Sequence, residues 1–169
     1  MPERPSNTAS DFYGQEHEDF RATVRAFMEK EVVPHHDQWE KDGQVSRDVW
    51  LRAGEQGLLC FDVDEAYGGP GVRDFRYNLV LAEEMTRAGA HGPGFPVHTD
   101  VIVPYISSLA TPEQKERWLP GLVSGELISA IAMSEPAPGS VIAMAEISSP
   151  ETSPGSQRCF CSSFASALM

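Results

Sequence analysis

Hydroxyls, a carboxylate, prolines and a glycine crowd into Ala132-Met133-Ser134-Glu135-Pro136-Ala137-Pro138-Gly139-Ser140. The run closes an apolar segment, Leu127-Ile128-Ser129-Ala130-Ile131. A strand that delivers small hydroxylated residues into a Gly-Ser loop brings backbone N–H groups up against an anionic or planar ligand. The bland alternative is that Ser134 and Ser140 are ordinary loop hydroxyls. Glu135 tempts assignment as a general base, but its place before Pro136 in a turn is better explained as structural.

Other chemistry is weakly supported. Cys60 stands alone, and Cys159 and Cys161 form a lone Cys-x-Cys. Three thiols make neither a disulfide framework nor a paired Cys-x-x-Cys zinc pattern. The adjacent His35 and His36 would point about 100° apart on a helix, so they do not share one ion readily. A formal net charge of −12 opposes binding to nucleic acid, which needs clustered Lys and Arg, and to an anionic membrane surface. No apolar run approaches the roughly 20 residues of a membrane span. The start, Met1-Pro2-Glu3-Arg4-Pro5, carries neither the apolar core of a signal peptide nor an Arg-rich presequence. The expectation is a cytoplasmic protein without a metal.

An apolar fraction of 41% is enough for a core, and the elements that would position the Ser-Gly loop are mostly helical. Ser10 opens a first helix carrying Phe20, Val24, Phe27, Met28 and Val32, which Pro34 ends or kinks. Gly43 stops that stretch, and Ser46 opens a short helix bearing Val49, Trp50 and Ala53. A third helix spans Asp74 to Arg87, with Tyr77, Val80, Leu81 and Met85 on one face. Val97 to Leu109 is nearly all apolar and is expected to be a central, buried helix interrupted by Pro104. Thr111-Pro112-Glu113-Gln114 combines a capping Thr, a Pro at the first helical position and a capping-box Gln. The helix it opens holds Trp118, Leu119 and Leu122 and ends near Gly125. Leu127 to Met133 is the single strand candidate, with no partner strand evident downstream.

Residues 1–10 read as a loose leader, 11–125 as a helical domain, and 126–140 as a strand leading into the Ser-Gly loop. Residues 141–169 change character, with seven Ser, two Pro and two of the three Cys. No helical or strand period runs through them, so disorder is the expectation.

The Ala132–Ser140 run resembles the flavin-binding signature of the acyl-CoA dehydrogenases, whose usual form is Ala-Met-Thr-Glu-Pro-Gly-Ala-Gly-Ser-Asp. Further stretches resemble the amino-terminal helical domain of that family, and its long-chain branch in particular. They include Glu31-Val32-Val33-Pro34-His35-His36, Trp39-Glu40-Lys41, Gly43-Gln44-Val45-Ser46-Arg47 and Ala53-Gly54-Glu55-Gln56-Gly57-Leu58-Leu59. Gly92-Pro93-Gly94-Phe95 and Thr111-Pro112-Glu113-Gln114-Lys115 fit as well. Two departures stand out: Pro138 sits where a small residue is usual, and Val141 replaces an Asp.

The resemblance implies an all-α fold class: the family's helical bundle, followed by the first strand of its β-domain. It implies FAD as cofactor, with Ile131, Met133 and Ser134 against the isoalloxazine ring and Gly139 and Ser140 near the pyrophosphate. Ser140 would also approach the acyl-CoA substrate. The family is homo-oligomeric and carries out α,β-dehydrogenation of fatty acyl-CoA in β-oxidation. The resemblance assigns no catalytic residue here, because the family's base Glu belongs to a carboxy-terminal bundle that these residues do not resemble. An inactive fragment of such an enzyme is therefore expected. The alternative is a helical interaction module that binds a partner through surfaces other domains cover in the family.

Overall fold

A capping hydrogen bond at Gly14 sets the first helix, rather than one at Ser10. His17 Nδ1 accepts the Gly14 N–H at 3.0 Å, and α1 runs from Gln15 to Phe27. In the computed structural model, residues 12–131 are described throughout and residues 144–147 as backbone only. Pro34 neither ends nor sharply breaks the helical path. A π turn, Met28–Val32, inserts ahead of it, and α2 continues from Val33 to Asp42 with the proline in its first turn. The wider turn accommodates a residue that has no N–H and whose ring crowds the carbonyl four positions back.

Local signals then place the boundaries. Gly43 closes α2 in the left-handed conformation at φ +66°, a backbone shape that a side chain would disfavour. The Ser46 hydroxyl accepts the Asp48 N–H to open α3, Arg47–Glu55. A loop containing one short 3₁₀ turn, Glu65–Tyr67, leads to α4, Arg76–Ala88. A second π turn, Val97–Ile102, precedes α5, Val103–Leu109, and again a proline, Pro104, follows it. The Thr111–Gln114 capping box forms as its spacing predicts and opens α6, Pro112–Ser124.

The core is built from Phe27, Leu58, Leu81, Met85, Phe95, Ile102 and Leu119, with Trp50 edge-on to Phe95 at 4.9 Å. α1 packs along α4, and α3 crosses α6. That crossing is close: a Cβ at Gly54 would overlap the Ser124 carbonyl, and one at Gly125 would overlap the Trp50 carbonyl. Over α1 and α4 lies a set of ion pairs centred on the buried Glu84, which takes Arg25 in a two-pronged contact at 2.9 and 2.8 Å and Arg87 at 2.7 Å.

Two expectations need correction. The strand candidate is not alone: β1, Ile128–Ile131, pairs antiparallel with β2, Met144–Ile147, in the register Ile128↔Ile147 to Ile131↔Met144. The β2 residues lie in the stretch read as structureless; the remainder of 141–169 lies outside the described residues. The segment Val97–Leu109 is also not central. Its buried side carries His98, Thr99, Ile102, Val103 and Ile106, while Val97, Val101, Tyr105 and Leu109 are 44%, 39%, 52% and 51% exposed.

Candidate functional site

The end of β1 is where the sequence directs attention, and a buried polar cluster holds that strand to the helices. The π turn Val97–Ile102 packs against β1. Its extra residue turns two successive polar side chains inward, so His98 and Thr99 are both buried. His98 Nδ1 lies 3.2 Å from the Ser129 N–H nitrogen and 2.7 Å from Ser129 Oγ. On the other side of the ring, Nε2 lies 3.0 Å from the Leu122 carbonyl and 3.4 Å from Cys60 Sγ. The Trp50 ring packs edge-on to the imidazole at 5.2 Å.

A Cys beside a His suggests a nucleophilic pair, but the electrostatics oppose it. Burial pushes the Cys60 thiol well above its ordinary range, and the Asp62 and Asp100 carboxylates add to the effect. Burial lowers His98 to about 4, against the opposing pull of the Leu122 carbonyl. At neutral pH both groups are uncharged, so neither a thiolate nor an imidazolium is at hand. Cys60 is held with φ at +57°, its N–H donated to Thr99 Oγ1 at 3.3 Å. The cluster is a structural joint between strand and helices rather than a catalytic dyad.

Beside it, Asp62, Arg73, Asn78, Thr99 and Asp100 line an open cleft of about 290 Å³. Burial raises the Asp100 carboxyl, while a 2.6 Å hydrogen bond from Asn78 opposes that shift. A second cleft, about 360 Å³, lies among Glu31, His35, Trp39, Asp48 and Arg52, where the Arg52 guanidinium pairs with the buried Glu31. Among the described residues, no group of three His, Cys, Asp or Glu could hold a metal ion, and no helix is long and apolar enough to cross a membrane.

Of the residues singled out in the sequence, Ile131 is half-buried at the last register pair of β1, opposite Met144, and packs against the core. Met133, Ser134, Glu135, Gly139 and Ser140 lie outside the described residues. Sequence reasoning missed His98, Thr99, Cys60 and Ser129. The available signal was His98-Thr99-Asp100, three polar residues in succession inside an otherwise apolar helix just ahead of Pro104.

The family model for "Acyl-CoA dehydrogenase, N-terminal domain" matches residues 14–126. The mouse mitochondrial long-chain specific acyl-CoA dehydrogenase is 46% identical over 128 residues, which is 76% of this chain and 30% of that enzyme. A probable acyl-CoA dehydrogenase of Bacillus subtilis is 38% identical over 79% of this chain and 22% of its own length. Among solved structures, an acyl-CoA dehydrogenase from Geobacillus kaustophilus superposes with a TM-score of 0.70 at 41% identity, covering 80% of this chain and 40% of its own. One from Bacillus anthracis, complexed with FAD, gives 0.66 at 34% identity, over 78% and 22% respectively. This chain thus spans under a third of the length of these two curated relatives and under half that of these two solved structures. The helices, their order and the strand that follows them agree with one assignment: the chain belongs to the acyl-CoA dehydrogenase family and carries its N-terminal helical domain.

Proposed function

We propose that this chain supplies the amino-terminal wall of a flavin site that dehydrogenates fatty acyl-CoA thioesters. The carrying observation is the exposed stripe Val97, Val101, Tyr105 and Leu109, on the same helical segment whose buried side anchors β1 through His98. The buried side of the segment is already filled by Ile102, Val103 and Ile106 with His98 and Thr99, so the outward stripe is apolar surface beyond what the core of the domain uses. A fatty acyl tail, or the domain that encloses it, would cover such a stripe.

FAD is the cofactor of this reading, and when bound it accepts the hydride from the substrate's β-carbon. What is described of the cradle fits a planar ring in its chemistry: β1 ends in the apolar Ile131 and carries no charged side chain. Ile131, Met133 and Ser134 would lie along the ring, with Gly139 and Ser140 toward the pyrophosphate and Ser140 also toward acyl-CoA. A Ser134 hydroxyl would donate to developing negative charge on the ring edge. The division into 11–125 as helical domain and 126–140 as flavin-contact segment belongs to this reading, supported by the end of α6 at Ser124. So do a homo-oligomeric state and a cytoplasmic setting, the latter open to test by cell fractionation because several relatives carry mitochondrial names.

The 169 residues alone are not expected to turn over substrate, since the family resemblance assigns the role of the base to none of them. A chimera tests the reading. Residues 12–131 replace the matching segment of the mouse enzyme, and flavin content and acyl-CoA oxidation are measured. A yellow, active chimera is expected; a folded chimera that holds no flavin or oxidises no acyl-CoA overturns the reading. The second reading, a non-catalytic helical module, rests on the same exposed stripe, and the inactive outcome favours it.

A further inference from the structure

Two backbone groups dictate the state of His98. The Ser129 N–H can only donate, so Nδ1 facing it must be bare; the Leu122 carbonyl can only accept, so Nε2 must carry the proton. The ring therefore bridges the strand to the carboxy-terminal turn of α6 through both its nitrogens. Ser129 reinforces the bridge by turning its hydroxyl to the same Nδ1 at 2.7 Å. The imidazole has no exposed surface, so no water competes for either nitrogen. Trp50 on one side and Cys60 Sγ beside Nε2 leave it little room to turn. The bridge meets β1 two residues before Ile131, and Ser129 and Ile131 share one face of the strand.

We propose that His98, as its neutral Nε2–H tautomer, is the positioning residue that fixes β1 relative to α6 and so sets where Ile131 meets a planar cofactor. The proposal rests on the flavin reading above for the word cofactor, but not for the bridge itself. Histidine suits the task because its two nitrogens point to opposite sides and span both partners. Asn offers Oδ1 where Nδ1 lies and keeps the Ser129 half of the bridge. Leu fills much of the volume and keeps neither half.

The test uses the 169-residue chain and three readouts. Imidazole ¹⁵N shifts should report a bare Nδ1 and a protonated Nε2, unchanged between about pH 5 and 8, the range in which an ordinary histidine titrates. In H98L the Ser129 amide should exchange with solvent at least about tenfold faster while Val80 and Leu81 in α4 keep their protection; in H98N it should stay within about threefold of the parent. FAD titrated into the three proteins and followed by flavin fluorescence should rank H98L weaker than H98N and the parent.

An Nδ1–H tautomer, or unchanged Ser129 exchange in H98L, overturns the proposal. If H98L loses protection throughout, H98N decides: protection kept at Ser129 upholds the bridge, and protection lost there with α4 intact refutes it. Where the parent chain, one wall of the site, binds no FAD, the same comparison is made on the flavin content of the chimera with the mouse enzyme, and exchange at Ser129 still decides on His98. Equal FAD binding by a parent and an H98L protein that do bind it overturns the positioning role.

Discussion

Glu84 is the residue whose loss the helical domain should feel most. Its side chain is 3% exposed, and the guanidinium of Arg25, aided by that of Arg87, holds its carboxyl down at about 2. A buried carboxylate with these partners is stable only while it is charged, and removing that charge takes the two-pronged contact from Arg25 and leaves Arg87 with Glu29. Because the folded value lies below the ordinary 4.5, the contribution is complete above that pH and drains away as pH falls through about 2. Glu84→Gln should cost about 2–3 kcal/mol at neutral pH, and the gap between variant and parent should narrow on acidification. Urea unfolding at pH 7 and pH 3 checks both halves; an equal gap at the two values would place the effect in packing rather than charge.

At the scale of elements, glycine decides how closely helices meet. Gly54 lies where α3 crosses α6, and a methyl there has no flexible side chain to push aside, only the Ser124 backbone. Gly54→Ala should therefore destabilise by roughly 1–3 kcal/mol, as overpacking generally does, despite the gain in helix propensity that alanine brings. Thermal melts followed by circular dichroism measure it, and a stabilised variant would show that the helices separate freely. The two π turns belong to the same scale. Each precedes a proline, and each turns a polar residue inward, Glu31 in the first and His98 with Thr99 in the second. The proline-driven change of pitch is what allows a buried polar joint to form on a segment that also shows an apolar face to solvent.

Across the whole molecule, the exposed stripe on Val97–Leu109 and the stability of the domain should separate cleanly. Val101→Lys or Tyr105→Glu changes side chains that are 39% and 52% exposed and lie outside the core, so the isolated chain should change by no more than about 0.5 kcal/mol. In the chimera with the mouse enzyme, the same changes should lower flavin retention or acyl-CoA oxidation several-fold, because on the proposed function the stripe faces substrate or an enclosing domain there. Loss of stability in the isolated chain would mean that the stripe is already packed within it.

What was legible in the sequence was local. Thr111, Pro112 and Gln114 specify the start of α6 because a cap and its partner lie within one turn, and Gly43, Ser46 and Gly125 act over equally short distances. The helical class followed from these stops and from apolar spacing, and the ordered blocks resembling the acyl-CoA dehydrogenases pointed to the family before any coordinate did. Only the tertiary structure decided the rest. β2 has four residues and no pattern of its own, so its pairing with β1 depends on partners 13 to 19 residues away. The segment Val97–Leu109 looked buried because apolar content says nothing of which side faces a neighbour. His98 and Ser129 stand 31 residues apart in the chain; their joint exists because a π turn, a helix end and a strand meet at one point, and long-range packing of that kind leaves no short-range signal.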